Sequence, residues 1–170
     1  ERMKIEFTGK KGITNSCIID EKILIDNIKL LIQDKDDNDF IFLWNNNGTQ
    51  TPVKPTEINN WLKSFDTNIT SKLFRTYDAN ISLISFLREE KHPNNKNVSA
   101  VSKKKTLVRA IKETSETLNN TPAIAKKSYI IQELLDMYIN ESNKYVNIFM
   151  QDDTPQEALM KYLNQFCDSI

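Results

Sequence analysis

Glycine occurs only three times in the 170 residues, at Gly9, Gly12 and Gly48. Neither the G-x-G-x-x-G turn of dinucleotide folds nor the G-x-x-x-x-G-K-[ST] phosphate cradle can be built from them, which excludes Rossmann cofactor binding and P-loop hydrolysis. One histidine and two distant cysteines, Cys17 and Cys167, do not supply a zinc site of the usual ligand types or a disulfide framework. His92 lies in the polar stretch Lys91-His92-Pro93-Asn94-Asn95 and reads as a loop residue, not as the base of a catalytic triad. No apolar run approaches the roughly 20 residues that cross a bilayer, and the chain opens on charge where a secretory leader has its apolar core. The expectation is a soluble, intracellular protein with no membrane partner, no metal and no cofactor.

Charge is balanced, with 23 Lys and Arg against 23 Asp and Glu, and 39% of residues are apolar, which fits one globular domain over residues 1–170. Ile, Lys and Asn number 20, 19 and 19, a bias toward AT-rich codons that also makes N-x-[ST] matches such as Asn47-Gly48-Thr49 chance events. The neutral total hides a pattern. Residues 91–130 hold nine cations and two anions, residues 131–170 two cations and seven anions, and residues 1–90 twelve cations and fourteen anions. A basic middle between acidic flanks suits a polyanion-facing surface, although Lys103-Lys104-Lys105 can equally be a solvated helix face.

Lys4-Ile5-Glu6-Phe7-Thr8 alternates polar and apolar, Gly9-Lys10-Lys11-Gly12 supplies turn residues, and 13–19 can return as a second strand. The spacing of Leu24, Ile25, Ile28, Leu31 and Ile32 predicts a helix, followed by an acidic turn and the short apolar run Phe40 to Trp44. Pro55-Thr56 then opens a stripe of Ile58, Trp61, Leu62 and Phe65. From Thr70 the chain reads as helical. Leu73, Phe74, Tyr77, Ile81, Ile84 and Leu87 give one long helix or two short ones, and Val98, Val101, Val108, Ile111 and Leu118 give the next. Thr121-Pro122 signals a helix start, a further helix is expected to carry Tyr129, Leu134, Leu135 and Tyr138, and Thr154-Pro155-Gln156-Glu157 has capping-box spacing ahead of an inward stripe of Leu159, Tyr162, Leu163 and Phe166. The predicted class is α-rich α+β, a helical bundle with a small N-terminal β-hairpin.

Three ordered stretches are Phe7-Thr8-Gly9-Lys10-Lys11, Lys72-Leu73-Phe74-Arg75-Thr76-Tyr77 and Asn120-Thr121-Pro122-Ala123-Ile124-Ala125-Lys126-Lys127-Ser128-Tyr129. Together they resemble the catalytic domain of type IB DNA topoisomerases, in particular the compact poxvirus, giant-virus and bacterial branch. The resemblance implies that fold, and it implies relaxation of supercoiled duplex DNA without ATP, through a 3′-phosphotyrosyl intermediate.

By that resemblance Tyr129 is the nucleophile. Phenol attacks poorly near neutrality, so cations are needed to favour its ionised form as phosphorus is reached. Arg75 matches the arginine that donates two parallel hydrogen bonds to the non-bridging oxygens of the pentacoordinate state. Lys10 matches the hairpin-tip lysine that protonates the departing 5′ oxygen, and Lys72 a supporting lysine near the scissile phosphate. Asn120 stands where poxvirus enzymes have histidine, and its amide can donate to a phosphate oxygen without carrying charge. Lys11, Thr121, Lys126, Lys127 and the run Lys103, Lys104 and Lys105 are the expected DNA contacts.

The family's first catalytic arginine lies upstream of the lysine hairpin, and Arg2 is too near Gly9-Lys10 to be that residue. The expectation is a catalytic-domain fragment, monomeric, lacking the N-terminal DNA clamp. A tyrosine recombinase is the alternative, disfavoured by Lys72 where recombinases show His-x-x-Arg; a non-catalytic DNA-binding module is another. Virus-like ancestry implies virions and cytoplasmic replication sites, or else the nucleus.

Overall fold

The computed structural model of the chain describes residues 1–9, 12, 14–90, 92–95 and 97–167, without the side chains of Asn46, Phe166 and Cys167. It is α-rich α+β as the sequence predicts, with eight helices and two two-stranded antiparallel sheets among the described residues. The chain divides into two compact units, Glu1–Ile69 and Thr70–Ile170. No helix among the described residues is long and apolar enough to cross a membrane.

In the first unit the alternating segment forms β1 (Met3–Thr8), paired with β2 (Thr14–Ile19) from Met3 opposite Ile19 to Thr8 opposite Thr14. The expected hairpin is therefore present, while Lys10, Lys11 and Ile13 lie outside the described residues. Helix α1 (Lys22–Ile32) follows, but of its predicted stripe only Ile25 is buried and Ile28 half-buried; Leu24, Leu31 and Ile32 stay exposed. A unit this small encloses little of its surface. A second hairpin, absent from the sequence expectations, joins β3 (Leu43–Asn46) to β4 (Thr49–Pro52). Its tip is Asn47-Gly48, with φ of 50° and 86°. Two positive φ values in a two-residue loop make the primed turn whose twist matches the strands it joins, and Asn-Gly is the dipeptide that accepts it at least cost. Helix α2 (Pro55–Lys63) begins with Pro55 in its first turn, and the Glu57 carboxylate accepts the Lys54 N–H at 2.7 Å. Trp61 and Phe65 meet edge to face at 5.0 Å.

The second unit starts with α3 (Ser71–Glu89), one long helix, in which Asn80, Leu83, Ile84 and Leu87 repeat at helical spacing and are all buried. Helix α4 (Ala100–Thr117) is capped by the Ser99 hydroxyl, which accepts from the Ser102 N–H at 3.2 Å. Its packed face is Leu107, Ala110, Ile111, Thr114 and Ser115; of the predicted stripe Ile111 and Leu118 are buried and Val98 is half-buried, while Val101 and Val108 are 63% and 67% exposed. Small residues fill this face because α3 and α4 lie close together; the Ser115 hydroxyl bonds back to its own helix, donating to the Lys112 carbonyl at 2.7 Å, whereas the buried Thr114 hydroxyl has no partner among the described residues.

Beyond α5 (Pro122–Ser128) come α6 (Gln132–Asn140), α7 (Ser142–Phe149) and α8 (Pro155–Cys167). The sequence reading did not separate α7, whose Tyr145, Val146 and Phe149 are buried. Tyr145 packs edge to face on Tyr138 at 5.1 Å, and Phe149 stacks against both Tyr145 and Tyr162. The Thr154–Glu157 capping box is present as predicted, with Leu159 and Tyr162 buried and Leu163 half-buried; the Phe166 side chain lies outside the description. Arg88 ties this end together by donating to the carbonyls of Phe149 and Asp153 and pairing with the Asp153 carboxylate at 3.2 Å.

Candidate active site

Lys72 and Arg75 stand three residues apart near the start of α3, a spacing that stacks side chains on one helix face. Arg75 donates from its guanidinium to the carbonyl of Leu118 at 2.5 Å. That oxygen is available because of how α4 ends. Asn119 adopts a left-handed backbone, φ 51°, the Asn119 N–H bonds to the Glu116 carbonyl, and the Asn120 N–H reaches back to the Ser115 carbonyl at 2.8 Å. This is the helix-terminating motif usually made by glycine, here made by asparagine, which tolerates the left-handed region. The Leu118 carbonyl is left pointing out of the helix and accepts a second bond, from the Asn120 side-chain amide at 3.2 Å. Arg75 and Asn120 thus share one acceptor.

Thr121 caps α5, its hydroxyl accepting from the Ile124 N–H at 3.4 Å. The sequence expectation that Tyr129 belongs to the helix of Leu134, Leu135 and Tyr138 is corrected here: α5 stops at Ser128, α6 starts at Gln132, and Tyr129 sits in the break between them with φ −130° and ψ −30°. The N–H groups of Tyr129 and Ile130 both bond the Ala125 carbonyl, ending α5, and Gln132 closes the end by donating to the carbonyls of Lys126 and Ile130. Tyr129 is half-buried. The Arg75 guanidinium lies over its ring at 5.4 Å from the centroid, and the Lys72 ammonium at 5.9 Å. Four of the sequence-singled residues, Lys72, Arg75, Asn120 and Tyr129, therefore come together in the second unit.

Among the other tyrosines, Tyr138, Tyr145 and Tyr162 have their phenols pushed up by burial, with Glu90 adding to the effect at Tyr138.

The basic residues divide. Lys126 and Lys127 are exposed in the last turn of α5. Lys104 and Lys105 are exposed on α4 and line a shallow groove with Val101, Val108 and Arg109. Lys103 is half-buried, its ammonium donating to the Ser142 hydroxyl at 2.5 Å and reaching the Ile139 carbonyl at 3.5 Å, so it bridges α4 to the junction of α6 and α7. Lys10 and Lys11 lie outside the described residues. His92 is exposed in a turn, and among the described residues no group of three His, Cys, Asp or Glu side chains is placed to hold a metal.

Sequence reasoning missed Asn80. Its side chain is completely buried, donating to the Thr76 and Tyr129 carbonyls at 2.6 and 2.9 Å and accepting from the Ile131 N–H at 3.0 Å. The available signal was a lone amide in register with Leu83, Ile84 and Leu87 on an apolar face.

A family model described as eukaryotic DNA topoisomerase I, catalytic core, matches residues 1–154. A DNA topoisomerase 1B of Acanthamoeba polyphaga mimivirus is 28% identical over 167 residues, covering 95% of this chain and 48% of its own length. The chain thus spans about half the length of that relative.

Proposed function

Because the chain belongs to the type IB DNA topoisomerase family, that of the eukaryotic DNA topoisomerase I catalytic core, we propose that it carries the strand-cutting half of an enzyme that relaxes supercoiled duplex DNA. The observation that supports this most is the placing of Lys72 and Arg75 over the half-buried ring of Tyr129, with Asn120 sharing the Leu118 carbonyl with Arg75.

In this reading the Tyr129 oxygen attacks a backbone phosphorus, the bond from phosphorus to the 5′ oxygen breaks, and a 3′-phosphotyrosyl bond forms in its place. The phenol proton leaves as the bond forms, and Lys10 gives a proton to the 5′ oxygen, which departs as a hydroxyl. Arg75, with Lys72 and the Asn120 amide beside it, carries the charge that builds on the non-bridging oxygens. One phosphoester has been exchanged for another, so the free end can rotate and the 5′ hydroxyl can reseal the strand by the reverse path, with no nucleotide hydrolysed. Lys11, Thr121, Lys104, Lys105, Lys126 and Lys127 hold the duplex through its phosphates, with Lys103 supporting the run from behind. The protein acts as a monomer at sites of viral replication, in virions and cytoplasm, with the nucleus as the alternative site.

The test is relaxation of a supercoiled plasmid by the full-length gene product in the absence of ATP, with the covalent adduct trapped on a denaturing gel. A 3′-linked adduct that disappears in Tyr129→Phe while DNA affinity stays supports the reading. Recombinant junctions in place of relaxed circles would assign the chain to strand exchange, and DNA binding without any adduct would leave a binding module.

A further inference from the structure

We infer that Asn47 is a latent deamidation site, held shut in the folded chain by the side chain of Asn45. Asn47-Gly48 is the single Asn-Gly pair in the 170 residues, since Gly9 follows Thr8 and Gly12 follows Lys11. It forms the exposed tip between β3 and β4, and there the Gly48 N–H donates to Asn45 Oδ1 at 3.0 Å.

The nitrogen in that bond is the one the reaction needs. Deamidation begins when hydroxide takes the Gly48 N–H proton and the nitrogen attacks the Asn47 side-chain carbonyl carbon. The bond from that carbon to the side-chain nitrogen breaks, ammonia departs with a proton from water, and a five-membered succinimide is left. Water then opens the ring at one of its two carbonyls, giving aspartate or isoaspartate. Hydroxide is regenerated, so the net exchange is one water taken up for one ammonia released.

Glycine speeds this step because no Cβ obstructs the approach of its nitrogen. Crowding does not replace that obstacle here: a Cβ placed on Gly48 would meet no described atom within 4 Å. The Asn45 oxygen is the obstacle instead. It holds the proton that must leave, and an ionised nitrogen would face that oxygen with no proton between them. Only an oxygen accepts from an N–H, so the contact also fixes which end of the Asn45 amide faces the turn. The backbone adds to the restraint. With φ of 50° at Asn47 and 86° at Gly48, and Asn46 paired with Thr49 across the ladder, the peptide between the two is held in the turn and its nitrogen is not free to swing onto the Asn47 side chain.

Opening the ring to isoaspartate routes the main chain through a side-chain carbon, lengthening a two-residue loop whose primed twist depends on its length. Asn45 therefore protects the register of the β3–β4 pair.

Timed incubation of the chain at mildly alkaline pH, followed by peptide mass spectrometry and labelling with an isoaspartyl methyltransferase, reads the rate at Asn47. The folded protein should deamidate there far more slowly than the same chain in urea. Asn45→Ala should raise the folded-state rate about threefold to tenfold, the worth of one hydrogen bond. Asn45→Asp keeps an acceptor oxygen and should stay at or below the wild-type rate. The Val53 amide, which donates to the Phe42 carbonyl at 3.0 Å, reports the integrity of the hairpin by hydrogen exchange and should be unchanged in both variants. Equal rates in folded and urea-unfolded wild type, a wild-type rate in Asn45→Ala, an Asn45→Asp rate as high as that of the Ala variant, or an acceleration matched by the same loss of Val53 protection would each overturn the inference. Should Asn45→Ala fail to fold, hydrogen exchange in the wild-type protein decides: the Gly48 amide should exchange more slowly than the amides of exposed turns, and equal exchange overturns the assignment.

Discussion

The guanidinium of Arg75 lies over the ring of Tyr129, 5.4 Å from its centroid, while one of its nitrogens donates to the Leu118 carbonyl. A cation over an exposed or half-exposed ring is worth about 0.5–1 kcal/mol, less than the paired charge-assisted bonds a phosphate offers. A phosphate that enters will therefore draw the guanidinium from the ring face. Arg75→Ala should lower the single-turnover cleavage rate by about a hundredfold to a thousandfold, the cost of one lost preorganised donor, with a smaller effect on DNA affinity. Arg75→Lys, which keeps charge and loses the planar fork, should fall between that variant and wild type.

The three consecutive lysines of α4 should separate by assay. Lys104 and Lys105 are exposed, so changing them to Gln should flatten the salt dependence of DNA binding and leave thermal stability alone. Lys103 is bonded to Ser142 and Ile139, so Lys103→Met should chiefly lower stability, by about 1 kcal/mol in a urea titration, with a smaller change in the salt slope.

At Asn119 the φ of 51° decides the sign of substitution. Asn119→Ala places an ordinary Cβ in the left-handed region and should cost about 1–2 kcal/mol by denaturant unfolding. Asn119→Gly removes that strain and should leave stability equal or higher.

Tyr145 is fully buried, and its hydroxyl has no hydrogen-bond partner among the described residues. Tyr145→Phe keeps the ring contacts with Tyr138 and Phe149 and removes the unpaired group, so it should stabilise the fold by about 1 kcal/mol. A clear loss of stability in that variant would show that the hydroxyl is bonded.

Acid should loosen the end of α3. The hydrogen bond from Lys161, with Arg88 adding to it, holds the Asp153 carboxyl below the usual carboxylate range, and the Thr154 backbone N–H does the same for Glu157. A folded-state value below the unfolded one means that the stabilisation is complete above the ordinary carboxylate range and is lost as pH falls through the lowered value. Unfolding titrations across the acid range should show the slope, and Asp153→Asn should flatten it.

Local chemistry was the legible part of this fold. Thr121 and Thr154 cap helices, and a hydroxyl next to a helix start can be recognised without knowing what the helix packs on. Asn47-Gly48 was equally local, and its meaning as a hairpin turn was obscured by reading it as a chance N-x-[ST] match. The stripe expected for α4 holds at Ile111 and Leu118 and fails at Val101 and Val108, because between close helices small residues such as Ala110, Thr114 and Ser115 fill the face. The break at Tyr129 was not legible at all, since the amide that bonds its backbone on both sides, Asn80, is 49 positions upstream and meets it only once α3 and the end of α5 are adjacent. Motif order located Lys72, Arg75, Asn120 and Tyr129, but not the amide beneath them.

The acceptor shared by Arg75 and Asn120 is a main-chain oxygen, and every amino acid at position 118 supplies the same atom. Point substitution there can disturb packing but cannot delete the anchor. What can delete it is a change of length: inserting or removing one residue between Ser115 and Asn120 rotates the carbonyl by about 100° around the helix axis. This corner of the molecule is therefore tolerant of spelling and intolerant of spacing.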